Sequence, residues 1–216
     1  MRLTHLGHAC LLVELGDERI LIDPGTFTAG FEELRDLSAI VVTHQHPDHL
    51  DPERFPDLVR ANEGARLLCD PGSVEVLAAL GIEGQAHDGE TSIGEVTLTP
   101  VGRTHALIHD DLPRIPNVGV VLRAEGEPVL FHPGDAVDQD PGEIDVLAFP
   151  LNAPWQRSRE MTGFLRRLNP RQAVPIHDGL LNVRGRKLYL QQAGTFGGSD
   201  TTVRDLAGAG AVDFSL

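Results

Sequence analysis

The chain has 216 residues, 41% of them hydrophobic, and a formal charge of −14 at pH 7. That length can bury a substantial core, and no apolar run approaches the ~20 residues of a membrane-spanning helix. The acidic balance disfavours nonspecific binding to nucleic acid or anionic lipid, which needs clustered basic side chains.

The N-terminal stretch "MRLTHLGHACLLVELGDERILIDPG" alternates like successive strands. Glu14, Asp17 and Glu18 interrupt its apolar runs, so it does not read as a signal-peptide core and a cytoplasmic protein is expected. Strand-type runs follow at 2–6, 10–15, 19–23, 39–43 and 66–70, separated by turn signals such as "LGD" and "DPG". Helical patterning appears at 52–61 and 72–80. Strands resume at 95–101, 118–124, 128–134, 146–150 and 172–176. Between the last two, "SREMTGFLRRL" places Met161, Phe164, Leu165 and Leu168 on one helical face and its arginines on the other. No linker interrupts the order, which predicts one domain over 1–216 with layered sheets covered by helices. Cys10 and Cys69 are too few and too isolated for a disulfide framework or a thiolate metal site.

The run "AIVVTHQHPDHLD" at 39–51 sends an apolar strand into three histidines and an aspartate. His44 and His46, two residues apart before an extended Pro47, can aim at one point. Asp48 and His49, just past the turn, can face a second. Neutral imidazole and carboxylate suit zinc and related divalent ions. By chance alone, H-x-H-x-D-H arises on the order of once in several hundred such sequences, so the remaining candidate ligands decide. Three later strands end in the same way: "VTLTPVGRTHA" delivers His105, "PVLFHPGDA" delivers Asp135 and "QAVPIHDG" delivers His177.

"THQHPDH" followed by His105, Asp135 and His177 resembles the metallo-β-lactamase superfamily of binuclear metal hydrolases. The resemblance covers nearly the whole chain, including "GHA" at 7–9 and "LIDP" at 21–24. "GHACLLVE", "ILIDPG" and "THALIHDDLPRIPNVGVVL" are similar to the small zinc-dependent hydrolases related to ascorbate-6-phosphate lactonase. The resemblance implies an α+β fold, a four-layer αββα sandwich with the site at one edge between the sheets. It also implies that His44, His46 and His105 hold one metal ion, that Asp48, His49 and His177 hold the other, and that Asp135 bridges them.

The chemistry expected of such a site is hydrolysis by a metal-bridging hydroxide, with no covalent enzyme intermediate. A bound metal lowers the pKa of water from about 15.7 to about 7, and two ions ~3.5–4 Å apart can also polarise the substrate oxygen. Zinc is the expected ion, and manganese or iron accept the same donors. Asp48 is expected to orient the nucleophile. His8 is a candidate proton shuttle or hydrogen-bond donor at the site edge, and Asp23 a candidate acceptor for a ligand histidine's second N–H.

His109 reads as a solvated loop residue, and His132 as a brace for the "PGD" turn. Arg103, Arg157 and Arg159 sit on or near segments that should border the pocket, where a phosphate-bearing substrate would need a cation, although surface arginines are usually just solvated. Trp155 could line the substrate pocket, with packing at the core or rim the favoured role. The expected partner is a small-molecule substrate, with neither nucleic acid nor membrane. Iron-dependent redox chemistry on the same fold and a non-catalytic binding module are the alternatives. Lactone, ester, phosphoester and amide bonds all fit attack by a hydroxide held between two metals.

Overall fold

The computed structural model describes residues 1–216. One seven-stranded sheet contains β1 (Arg2–Gly7), β2 (Cys10–Leu15), β3 (Glu18–Ile22), β4 (Ala39–Val42), β5 (Arg66–Cys69), β6 (Gln85–Ala86) and β14 (Ala211–Asp213). Its order is β14-β1-β2-β3-β4-β5-β6. The second sheet, also seven-stranded, contains β7 (Thr91–Ile93), β8 (Val96–Val101), β9 (Gly119–Arg123), β10 (Leu130–His132), β11 (Val146–Pro150), β12 (Gln172–Ile176) and β13 (Thr202–Val203). Its order is β13-β12-β11-β10-β9-β8-β7.

The period-two geometry of a strand splits each sequence between two faces. In β2, Leu11, Val13 and Leu15 join the core between the sheets, while Cys10 and Leu12 face outward. The inter-sheet core also takes Ile20, Ile22 and Val41 from the first sheet, and Leu98, Leu122, Val146 and Val174 from the second. Helices α1 (Phe55–Ala61) and α2 (Pro71–Ala79) cover the outer face of the first sheet, through Phe55, Leu58 and Leu77. Helices α3 (Ser158–Leu168) and α4 (Val183–Phe196) cover the second, through Met161, Phe164, Leu165 and Ala193. The result is the expected αββα sandwich. Because both faces of the central strands are covered, runs such as Val146–Pro150 are buried throughout.

Local chemistry fixes the helix starts. The Asp70 side chain accepts the Gly72 and Ser73 N–H groups ahead of α2, and Asn182 accepts from Gly185 ahead of α4. The expected helix at 52–61 begins only at Phe55, because Asp51 first closes a turn by accepting the Glu53 and Arg54 N–H groups. No helix is long and apolar enough to cross a membrane.

Strand direction positions the site. Pairing makes β1, β3 and β4 run the same way in one sheet, and β8, β10, β11 and β12 the same way in the other. The residues just beyond their C-terminal ends include His8, Asp23, His44, His105, Asp135 and His177, and these gather at one edge of the sandwich. Strand C-termini are where open α/β sheets place their ligands.

Candidate metal centre

The seven predicted donors come together in two groups, and His8 joins the second as an eighth residue. The ligand atoms of His44, His46, His105 and Asp135 lie within 4.8 Å of one another, as do those of His8, Asp48, His49 and His177. Asp135 sits between the groups: its Oδ2 is 3.3 Å from His105 Nε2 and 3.1 Å from His177 Nε2, and its Oδ1 is 3.2 Å from His49 Nε2. Donors held ~2.0–2.1 Å from a tetrahedral ion lie ~3.3 Å apart, which matches these separations.

The histidines are aimed by their other nitrogens. His49 Nδ1–H donates to Asp23 Oδ2 at 2.7 Å, His105 Nδ1–H to the Ala106 carbonyl at 2.7 Å and His177 Nδ1–H to the Asn152 carbonyl at 2.8 Å. Thr43 gives both its N–H and its hydroxyl to Asp23, so the hydroxyl oxygen accepts from His44 Nδ1–H at 3.2 Å. Each of these rings thereby turns a lone pair on Nε2 toward the centre, the tautomer a metal requires. His46 presents Nδ1 instead, 3.0 Å from His44 Nε2.

Buried polar atoms are nearly always hydrogen-bonded, and an exception calls for an ion or a water. His49 Nε2, His105 Nε2, His177 Nε2 and Asp135 Oδ1 are all buried without a hydrogen-bond partner, close to one another yet misaligned for pairing. Imidazole nitrogens and carboxylates facing a shared centre fit divalent metal ions.

A profile described as Beta-lactamase superfamily domain matches residues 2–177. The chain belongs to the metallo-β-lactamase superfamily. It is 44% identical over 192 residues to Protein Rv0786c of Mycobacterium tuberculosis, covering 88% of this chain and 89% of that one. A UPF0173 metal-dependent hydrolase of Caldivirga maquilingensis is 31% identical over 195 residues, 81% of each chain. The metallo-β-lactamase fold protein YhfI of Bacillus subtilis superposes with a TM-score of 0.70 at 16% identity, covering 98% of this chain and 99% of that one.

In this superfamily member the electrostatics favour positive charge at the centre. Burial opposes charge on His49 and His177, yet Asp135, helped at His49 by Asp23, holds both above the ordinary histidine value. Burial likewise pushes the Asp48 and Asp135 carboxyls upward, but their histidine neighbours outweigh it and both stay below the usual carboxylate range. His44 and His46 are lowered, first by burial and then by neighbouring imidazoles, and remain neutral donors.

His8 is buried with both ring nitrogens engaged. Its Nδ1 accepts the Gly179 N–H at 3.1 Å, which puts the ring proton on Nε2, 3.1 Å from Asp48 Oδ2. The geometry favours holding Asp48 over shuttling protons to solvent. Asp23 takes its expected place as an acceptor within the histidine cluster, for His49 Nδ1–H. His8, Asp23 and His177 all adopt left-handed backbone, with φ of 51°, 51° and 56°. Such conformations cost energy and cluster at functional sites.

One expectation changes. Trp155 takes the pocket role rather than the packing role favoured for it: it lines the cleft, its indole N–H donates to Asp135 Oδ2 at 3.0 Å, and its ring stands edge-on to both His105 and His177. Arg103, Arg157 and Arg159 are exposed, as surface arginines usually are; none lines the cleft above Asp48 and Asp135, and Arg157 borders a neighbouring hollow that shares Ile108, Pro154 and Trp155 with it. Asn117 was not anticipated. Buried beside the centre, it accepts the Asp135 N–H at 2.9 Å and donates to the Pro133 carbonyl. Gly134, at φ 61°, leaves room for it, since a Cβ there would lie 2.4 Å from Asn117 Oδ1. No local pattern marks an asparagine just before a strand for this role. His132 braces its turn as expected, accepting from Gly134, and His109 is exposed.

Proposed function

We propose that this chain is a metal-dependent hydrolase cleaving an ester, lactone or phosphoester bond of a small molecule at a binuclear centre. The observation that carries the reading is the convergence of two donor groups on Asp135, among buried nitrogens that find no other partner. His44, His46 and His105 would hold one ion and Asp48, His49 and His177 the other, with Asp135 contacting both. Two divalent ions, zinc by preference with manganese or iron accepted, would supply hydroxide near neutrality and polarise the substrate's oxygen.

The protein's own groups do the rest. Asp48 lines the cleft, and its carboxyl stays ionised, so it serves as an acceptor that orients the attacking water. His8 fixes the direction of that carboxylate through Nε2–H, and Trp155 does the same for Asp135. Asp23 and Thr43 keep the His44 and His49 lone pairs facing inward.

Asp48→Ala is expected to lower kcat by roughly 10²–10⁴-fold, the span associated with a positioned acid–base group, with the fold retained. Turnover of model esters, with and without oxygen, measures this and separates hydrolysis from iron oxidation. Near-normal kcat in metal-loaded Asp48→Ala protein would contradict the role given to Asp48.

A further inference from the structure

The open side of the centre is apolar. A cleft of about 430 Å³ lies over Asp48, Asp135 and His177, and its walls include Phe27, Pro47, Ile108, Pro154, Trp155 and Leu180. Its volume falls within the range of small-molecule sites, which are lined mainly by hydrophobic groups with a few fixed polar ones. Phe27, Ile108 and Leu180 are 48%, 41% and 54% exposed, and they come from three separate loops, after β3, β8 and β12. A lone exposed hydrophobic residue means nothing, but several rimming one cleft mark a binding surface. The apolar surface continues beyond Ile108 into an adjoining hollow lined by Leu112 and Ile115.

The cleft also lacks a cation of its own. No lysine or arginine lines it. Arg114, in the adjoining hollow, turns Nε and Nη2 to the His105 carbonyl, at 2.8 and 2.5 Å, and Arg157, in a second hollow that shares Ile108, Pro154 and Trp155 with the cleft, is exposed 3.9 Å from Glu160. Arg186, on the helix after the His177 loop, is paired with Asp178 and Asp205. A phosphate or carboxylate carried away from the scissile bond would need a free guanidinium or ammonium group, and would instead meet Asp48.

We propose that this cleft selects a neutral ester or lactone with an apolar acyl chain, the chain lying against Phe27, Ile108 and Leu180 and the scissile carbonyl facing Asp48 and Asp135. The proposal rests on the hydrolytic reading above. Water adds across the acyl bond: a C–OH bond forms, the acyl C–O bond breaks, and the leaving oxygen takes a proton. The products are a carboxylic acid and an alcohol, joined in one molecule if the substrate is a lactone.

The test uses the metal-loaded full chain with p-nitrophenyl acetate, butyrate and hexanoate, beside p-nitrophenyl phosphate and bis(p-nitrophenyl) phosphate. kcat/KM is expected to rise about two- to fourfold per added methylene, the gain from burying each one. Both phosphates should be turned over at least about 100-fold less well than the hexanoate ester, a margin of about 2.7 kcal/mol. Leu180→Asp and Ile108→Asp should each lower the hexanoate-to-acetate ratio by about tenfold without changing metal content.

Trp155 is the only tryptophan, so its emission reads occupancy of the cleft without turnover. 2-Octanone, a neutral analogue that cannot be hydrolysed, should change it saturably and at lower concentration than 2-butanone, while inorganic phosphate should need far more. Hydrolysis with a flat chain-length dependence, or faster phosphate cleavage, overturns the proposal and leaves the hydrolase reading standing. Tight 2-octanone binding, weakened by Leu180→Asp, in protein that cleaves none of the five substrates supports the apolar selectivity and defeats the hydrolase reading. An emission unmoved by 2-octanone overturns the proposal in either case.

Discussion

Asp23 shows how much of the centre depends on a side chain that touches no reacting atom. It is fully buried and accepts from His49 Nδ1, Thr43 N and Thr43 Oγ1 at 2.7 Å each. Asp23→Ala leaves those three donors unpaired, at a cost of about 1–3 kcal/mol for a buried orphaned group, and frees the His49 ring to turn. Removing such an outer partner typically weakens metal binding about 10–100-fold. Urea unfolding and a competitive chelator titration measure the two effects; unchanged metal affinity would show that Asp23 serves the turn alone. The strand-end position of Asp23 made it readable in the sequence. Trp155 was not, because its bond to Asp135 joins loops that only the packing of β10 beside β11 brings together.

The histidine-rich turn after β4 is an element with little freedom. Gly25 packs directly beneath it, where an added Cβ would lie 1.8 Å from the Asp48 carbonyl oxygen and 2.5 Å from the His49 nitrogen. Both are backbone atoms, so Gly25→Ala must displace the turn that carries Asp48 and His49. The expected result is a stability loss of about 1–3 kcal/mol, as for other overpacking changes, with reduced metal content in the folded fraction. Urea melts and elemental analysis test it, and wild-type metal content would contradict it. The strands that end in donors were legible because an apolar run followed by a lone histidine is a short-range signal. Helix α4 was not. It carries Gly185 and Gly194, only Ala193 is buried, and it holds its place by packing against α3. Strands β13 and β14 are two and three residues long and exist only because β12 and β1 offer them an edge.

Across the whole molecule, α4 links the site to the C-terminal segment through one guanidinium. Arg186 meets Asp205 with two 2.6 Å bonds and Asp178, next to His177, with a third of 2.7 Å. The Arg186 hydrogen bond is the main cause of the lowered Asp205 pKa, ahead of the opposing effect of burial. A carboxyl depressed in the folded state adds stability above its unfolded value, ~3.9, and loses it as pH falls through the folded value. Thermal melts should therefore show Asp205→Asn less stable than the parent at pH 7, with the gap closing below about pH 4. A gap that persists unchanged at pH 2 would contradict the assignment.

The same two-sheet frame brings seven donors, widely spaced along the chain, to one edge. Elemental analysis of the purified chain, after reconstitution with zinc or manganese and removal of excess by gel filtration, counts what they hold. Two equivalents per chain, with fewer in Asp135→Ala, is the expected result. One equivalent or none in the parent protein would contradict a binuclear centre.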